Sequence, residues 1–310
     1  MKAVRIHQFG GPDKLHLEEL PTPKPNPGEV LVRILAASVN PVDYKIRNGG
    51  YLPDDALPLT LGRDIAGIVE LVGEDVEGFS PGDAVYAMLD RNHGGYAEFV
   101  AEAAVNCAIK PAAIDFIQAA AVPLAGLTAW QGIFDHGGLK AGQKVLIHGG
   151  AGGVGHFAVQ FAAARGAQVI ATCSGEDMAF VRRLGASEVI DYHKERFEDR
   201  VHDVDVVFDL VAGETQDRSW KVLKDGGALI STLKEPDQAR ARERHVRACH
   251  YMAHPDGGEL AEIGRLIDAG KVIPNVDRVF PLKDAAGAER ELERAHIRGK
   301  VVLDVNPDAD

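Results

Sequence analysis

The chain has 310 residues, 45% hydrophobic and 26% charged, an ordinary globular mixture long enough for two compact units. Its formal net charge of −12 repels phosphate backbones and anionic lipid, so neither nucleic acid nor a membrane surface is an expected partner. Three widely spaced cysteines, Cys107, Cys173 and Cys249, form no CxxC pair; they exclude a disulfide framework and a cysteine-rich zinc module, and point to a reducing cytoplasm.

The opening MKAVRIHQFGG has no apolar signal core. Residues 1 to about 118 read as strands and turns, with strands expected at Ala3 to Ile6, Leu15 to Leu17, Val30 to Leu35 and Ile65 to Val72. The proline-rich segment Pro21 to Pro27 reads as a rigid connector between strands. The longest apolar run, Ala119 to Ala129, is broken by Pro123 and Gly126 and falls well short of a membrane span.

From about residue 119, short β-branched runs alternate with Ala-rich helical stretches. The runs are Lys144 to His148, Gln168 to Thr172, Glu188 to Ile190, Val204 to Leu210 and Ala228 to Thr232, the spacing of βαβ units in a parallel sheet. The basic stretch Arg240 to Arg247 is interrupted by Glu243 and reads as a solvated face. After Met252 the pattern predicts one helix, Leu260 to Ala269, and a closing strand, Lys300 to Val305, which must return to pair with the N-terminal unit.

The segment KVLIHGGAGGVGHFAVQFAAARGAQVIAT places Gly150, Gly152 and Gly155 in the spacing G-x-G-x-x-G between a buried strand and a helix. The first glycine permits a tight turn, the second lets backbone N–H groups near a pyrophosphate, and the third lets the helix pack closely with its positive end on the phosphate. Gly150, Gly152, Gly153, Val154 and Gly155 are therefore the candidate cofactor-binding turn. An NAD site usually ends its second strand in an acid, whereas this strand ends Thr172-Cys173-Ser174, uncharged. That end leaves room for a 2′-phosphate to which Ser174 donates, which favours NADPH. Glu176 and Asp177 follow, and suit the start of a helix at Asp177 to Leu184.

These segments, with SVNPVDYKIRNGGY, LGRDIAGIVELVG, FSPGDAVYA, GGYAEFV, AVPLAGLTAWQGI, LGASEVIDY and GKVVLDV in this order, resemble the zinc-free quinone oxidoreductases and enone reductases of the medium-chain dehydrogenase/reductase superfamily. The resemblance covers essentially the whole chain. It implies an α/β protein in which a GroES-like β domain (1–121) carries an inserted Rossmann doubly wound parallel-sheet domain (122–253). A C-terminal return (254–310) would complete the first domain, and NADPH would meet the substrate in a cleft between the two.

Zinc-dependent relatives carry Gly-His-Glu where this chain has Gly62-Arg63-Asp64, and a cysteine near Asn40, where it has none; their four-cysteine lobe is also missing. No metal is expected. Arg63 would either place a positive charge near the cleft or be consumed by a structural pair with Asp64 or Asp43, the second being the expectation. The resemblance also implies roles for Asn40 beside the nicotinamide ribose, Tyr51 in the cleft, Thr128 near the carboxamide and Tyr192 in the adenosine-phosphate pocket. Asp177 stands where many NADPH-using relatives have lysine. Asn40 has a rival role in closing a turn before Pro41, and Asp43 and Arg47, four apart, in a helical surface ion pair.

The expected activity is hydride transfer from NADPH to a small quinone or to the C=C bond of an α,β-unsaturated carbonyl, with Asn40 and Tyr51 as catalytic candidates. A non-catalytic NADPH-binding sensor or structural protein would have nearly the same sequence, and a zinc alcohol dehydrogenase is disfavoured by Arg63. The family suggests a homodimer.

Overall fold

A computed structural model describes residues 1–305. The chain divides into two compact units, one built from residues 1–124 and 255–305, the other from 125–254.

The first unit begins with β1 (Lys2–Ile6), β2 (His16–Glu19), β3 (Glu29–Val39), α1 (Pro41–Arg47) and β4 (Leu59–Thr60). It continues with β5 (Asp64–Val72), β6 (Ala84–Met88), β7 (Phe99–Ala103), β8 (Cys107–Ile109) and α2 (Phe116–Ala120). β3 is an almost unbroken apolar run because it lies inside a sheet, hydrogen-bonded to β5 and β7. Val32, Ile34, Ile65, Val85, Leu89 and Tyr96 form the core of this unit.

The second unit starts within α3 (Pro123–Trp130) and contains β9 (Lys144–His148), α4 (Gly155–Ala164), β10 (Gln168–Cys173), α5 (Met178–Arg183) and β11 (Glu188–Asp191). Then come β12 (Val204–Asp209), α6 (Gly213–Ser219), β13 (Leu223–Ser231), α7 (Gln238–Glu243) and β14 (Arg247–His250). All six strands are parallel, in the order β11-β10-β9-β12-β13-β14. This is the doubly wound order whose topological switch lies between β9 and β12, the place where such sheets bind ligands.

The chain then returns to the first unit through α8 (Gly257–Asp268), β15 (Val276–Pro281), α9 (Ala285–Arg294) and β16 (Lys300–Asp304). β16 lies between β15 and β3, pairing Val301 with Val39 and Leu303 with Ala37. The return is thus two strands and two helices rather than one of each. β15 is half exposed and carries Asp277 and Arg278, and α9 is charged along most of its length, so neither shows a long apolar run.

The basic stretch Arg240 to Arg247 runs from α7 to the first residue of β14; Arg240, Arg242 and Glu243 are exposed, as a solvated face requires, while two of its arginines are anchored. Arg244 donates to the carbonyls of Trp220 and Leu223, and Arg247 to those of His136 and Gly137. Among the described residues no helix is long and apolar enough to cross a membrane.

Candidate active site

In the second unit the glycine turn leaves the end of β9. Gly149 has φ +75°, so the left-handed residue is one position earlier than the spacing suggests. Gly150 is constrained by closeness instead: a Cβ there would lie 2.9 Å from Ala171 Cβ, and its N–H donates to Thr172 O at 2.9 Å. A Cβ on Gly155, the first residue of α4, would overlap the Gly149 carbonyl and lie 2.9 Å from Gly150 Cα. A Cβ on Gly152 would meet only Gly149 O, at 3.5 Å, so this glycine faces open space. No side chain caps the start of α4, and the N–H groups of Gly153 and Val154 donate to no acceptor among the described residues. An open backbone surface at an uncapped helix start fits a phosphate group.

A fully buried histidine supports the turn from below. His148 Nδ1 lies 3.1 Å from Thr172 Oγ1 and Nε2 lies 2.9 Å from Ser219 Oγ, while Ser219 donates to Thr215 O. With the serine hydrogen committed, Nε2 carries the proton and Thr172 donates to Nδ1. Burial pushes the pKa of His148 down to about 4, so the ring is neutral. Sequence reading sets His148 beside His93, His136 and His156 as histidines that could regroup into a metal site but are more often surface or structural; its distinguishing sign is an imidazole at the end of an apolar strand next to the glycine turn.

At the ends of β10 and β11, Ser174 and Tyr192 come close together, since Tyr192 N donates to Cys173 O. Ser174 donates its hydroxyl hydrogen to Asp177 Oδ2 at 2.9 Å. Asp177 is fully buried; burial, with the Asp177 charge second, raises the Cys173 thiol pKa to about 12. Tyr192 is 55% exposed and packs against His193. Asp177 stands at the start of α5, as expected, and is also the partner of Ser174.

Thr128 lies in α3 immediately before a π-helical segment, Gln131–His136. The hydroxyl of Tyr251 donates to the Thr128 carbonyl. Gly132 leaves room for that hydroxyl and for Phe208, whose ring carbon would lie 2.5 Å from an added Cβ.

In the first unit Asn40 is 2% exposed and precedes α1. Its N–H donates to Asp43 Oδ2 at 2.7 Å, so Asn40 does start the helix. Its side-chain Nδ2 donates to Asp64 Oδ2 at 2.8 Å, and its Oδ1 accepts from Lys300 Nζ at 2.5 Å. Asp64 is fully buried and also accepts from Ser38 Oγ at 2.6 Å and Leu124 N at 2.6 Å. Lys300 Nζ lies 3.7 Å from Asp64 Oδ2, a buried ion pair. Sequence reading does not find Lys300, which looks like an ordinary strand-edge lysine.

Asp43 and Arg47 do not form a surface pair; both are buried and turn to other partners. Asp43 accepts from Tyr96, whereas Arg47 donates to Glu289 at 2.5 Å, Glu293 at 2.8 Å and Gly10 O at 2.8 Å. Asp43 Oδ1 and Glu289 Oε1 are buried without a hydrogen-bond partner. Burial, with the Glu289 charge second, raises the pKa of Asp43 to about 7; burial likewise raises that of Glu289 to about 7 against the pull of Arg47.

Arg63 pairs with neither Asp64 nor Asp43. Its Nε and Nη2 donate to Leu89 O at 2.9 and 2.7 Å. Tyr51 is 55% exposed, and its hydroxyl has no hydrogen-bond partner among the described residues. Unit one thus gathers Asn40, Asp64 and Lys300 into one buried cluster and leaves Tyr51 at the surface.

Residues 26–112 match the alcohol dehydrogenase GroES-like domain, and residues 184–303 match the zinc-binding dehydrogenase family. The chain is 37% identical over 316 residues to the NADPH-dependent alkenal/one oxidoreductase, chloroplastic, of Arabidopsis thaliana, covering 98% of this chain and 79% of that protein. The chain belongs to the medium-chain dehydrogenase/reductase superfamily. Another member, the mitochondrial NAD(P)H oxidoreductase RTN4IP1 of Mus musculus, is 36% identical over 327 residues, covering 90% of this chain and 82% of that one. The quinone oxidoreductase from Coxiella burnetii superposes with a TM-score of 0.90 at 37% identity, over 98% of this chain and 99% of that one. As a superfamily member with these relatives, the chain is an oxidoreductase with a GroES-like domain and a Rossmann domain.

Proposed function

We propose that the chain is an NADPH-dependent reductase of quinones or of the C=C bond of α,β-unsaturated carbonyls, working without a catalytic metal. The observation that carries this reading is the glycine turn, whose open face at Gly152 and uncapped helix start suit a dinucleotide phosphate. The names of the Arabidopsis and Coxiella relatives support the substrate class.

NADPH supplies a hydride when bound. Gly150, Gly152, Gly153, Val154 and Gly155 hold its phosphates, Thr128 its carboxamide and Asn40 its nicotinamide ribose. Ser174 and Tyr192 line the adenosine 2′-phosphate pocket. The Ser174 hydrogen goes to Asp177, so the hydroxyl of Tyr192, which has no hydrogen-bond partner among the described residues, is the donor to that phosphate.

A zinc ion does not fit the residues at its usual place. Asp64 is engaged by three donors and Lys300, Arg63 is a cation, and no three metal-ligating side chains gather among the described residues. Negative charge developing on the substrate oxygen is spread by conjugation, so it needs only one or two hydrogen bonds, and Tyr51 provides one. The exposed edge strand β14 supports a homodimer, and three free cysteines support a cytoplasmic setting.

The test is steady-state NADPH oxidation with simple enones and quinones, against ethanol and isopropanol with NADP⁺, before and after chelation. Turnover with enones or quinones that survives chelation is the expected result. Tight NADPH binding without turnover, or a preference for simple alcohols, contradicts the proposal.

A further inference from the structure

We infer that Lys300 is a positioning residue that, paired with Asp64, fixes which way round the Asn40 amide faces, and so makes Asn40 an acceptor toward the nicotinamide ribose. This rests on the proposed NADPH reading and concerns the same site.

The two ends of an asparagine amide differ only in whether they donate or accept. Here the partners decide. An ammonium group only donates, so the atom 2.5 Å from Lys300 Nζ is Oδ1. A carboxylate bearing other accepted bonds only accepts, so the atom 2.8 Å from Asp64 Oδ2 is Nδ2. The second Nδ2 hydrogen points toward Ser38 O at 3.4 Å. Both donors of the amide are thus directed into the unit, and its remaining capacity is a lone pair on Oδ1. The chemistry this suits is a hydroxyl that donates, such as a ribose hydroxyl.

Lys300 is itself held in place. It sits on β16, 3% exposed, and also donates to Val39 O at 3.3 Å. Its charge is balanced by Asp64, which Ser38 and the Leu124 N–H hold in turn. Without the ammonium, the Asp64 carboxylate still draws Nδ2 toward itself, so the two charges share the orientation of the amide and both must be removed to release it.

Lys300→Met alone leaves the Asp64 charge buried and unpaired and endangers the fold. The informative variant is therefore Lys300→Met/Asp64→Asn, which removes both charges together and lets Asn40 turn its amide over. Calorimetric affinities are measured for NADPH and for 2′,5′-ADP, which carries only the adenosine half, alongside the thermal midpoint. The expected result is NADPH affinity reduced about tenfold or more, with 2′,5′-ADP affinity within about twofold of wild type. Unchanged NADPH affinity overturns the inference, and so does a parallel fall for both ligands, which marks a general structural loss. A wild-type protein that binds neither ligand refutes the NADPH reading itself, and this inference with it.

Discussion

Replacing Gly152 by alanine separates the fold of the turn from its use. The new Cβ meets only Gly149 O at 3.5 Å, an ordinary contact, and Gly152 has no left-handed φ. Alanine at a compatible glycine site stabilises by about 0.4–1 kcal/mol through the unfolded state, so the apo protein should melt no lower than wild type. The same methyl fills the open face on which a phosphate would rest, and a tenfold loss of NADPH affinity corresponds to about 1.4 kcal/mol. At a cofactor concentration of 100 times the wild-type Kd, ligand stabilisation is about 2.7 kcal/mol for wild type and about 1.4 kcal/mol for the variant. The NADPH-induced rise in Tm should accordingly be halved, read by differential scanning fluorimetry with and without cofactor. Gly155→Ala is the contrast: its Cβ overlaps the Gly149 carbonyl, and the strain of about 1–3 kcal/mol lowers the apo Tm as well. An NADPH-induced rise for Gly152→Ala equal to wild type would refute the role of the turn.

Three further outcomes are expected. Tyr51→Phe should lower turnover with enones while leaving the Kd for NADPH nearly intact; unchanged turnover makes Tyr51 a wall only. Arg47→Met strands Glu289 in a fully buried place and should cost about 3–5 kcal/mol in urea unfolding, far above the 0–1 kcal/mol of an exposed ion pair. Asp43 has a folded pKa raised to about 7, so the folded state binds more protons than the unfolded chain between about pH 4 and 7, and its contribution to stability falls as pH rises through that window. Asp43→Asn should therefore flatten the decline of Tm between pH 5 and 8, and an identical slope in both proteins would show that Asp43 does not titrate there.

The Rossmann strands were legible because parallel strands buried on both faces are short β-branched runs, as in KVLIH and VDVVFD, and the glycine turn because its chemistry is local. β15 and α9 were not, since their exposed faces carry most of the charge and their contacts lie far away in sequence. For the same reason Asp43 and Arg47 looked like an i,i+4 pair: the partners that capture Arg47 lie 242 and 246 residues away. Arg63 was read against its sequence neighbours, whereas a backbone carbonyl, which leaves no mark in the sequence, holds it. Lys300 belongs to this class too, because the pattern that identified β16 gives no sign of which lysine is buried.

The split of the first unit between residues 1–124 and 255–305 imposes an order on synthesis. The second unit is contiguous and has all six of its strands once residue 250 has emerged, so it can fold as the ribosome proceeds. The first unit cannot: β3 has an open edge until β16 is made, and Arg47 lacks its partners Glu289 and Glu293 until α9 follows. For that interval an apolar strand edge stays exposed and in need of protection from other chains. Lys300 arrives with the same closing strand, so a nascent chain acquires its dinucleotide turn early and its oriented Asn40 only at the end.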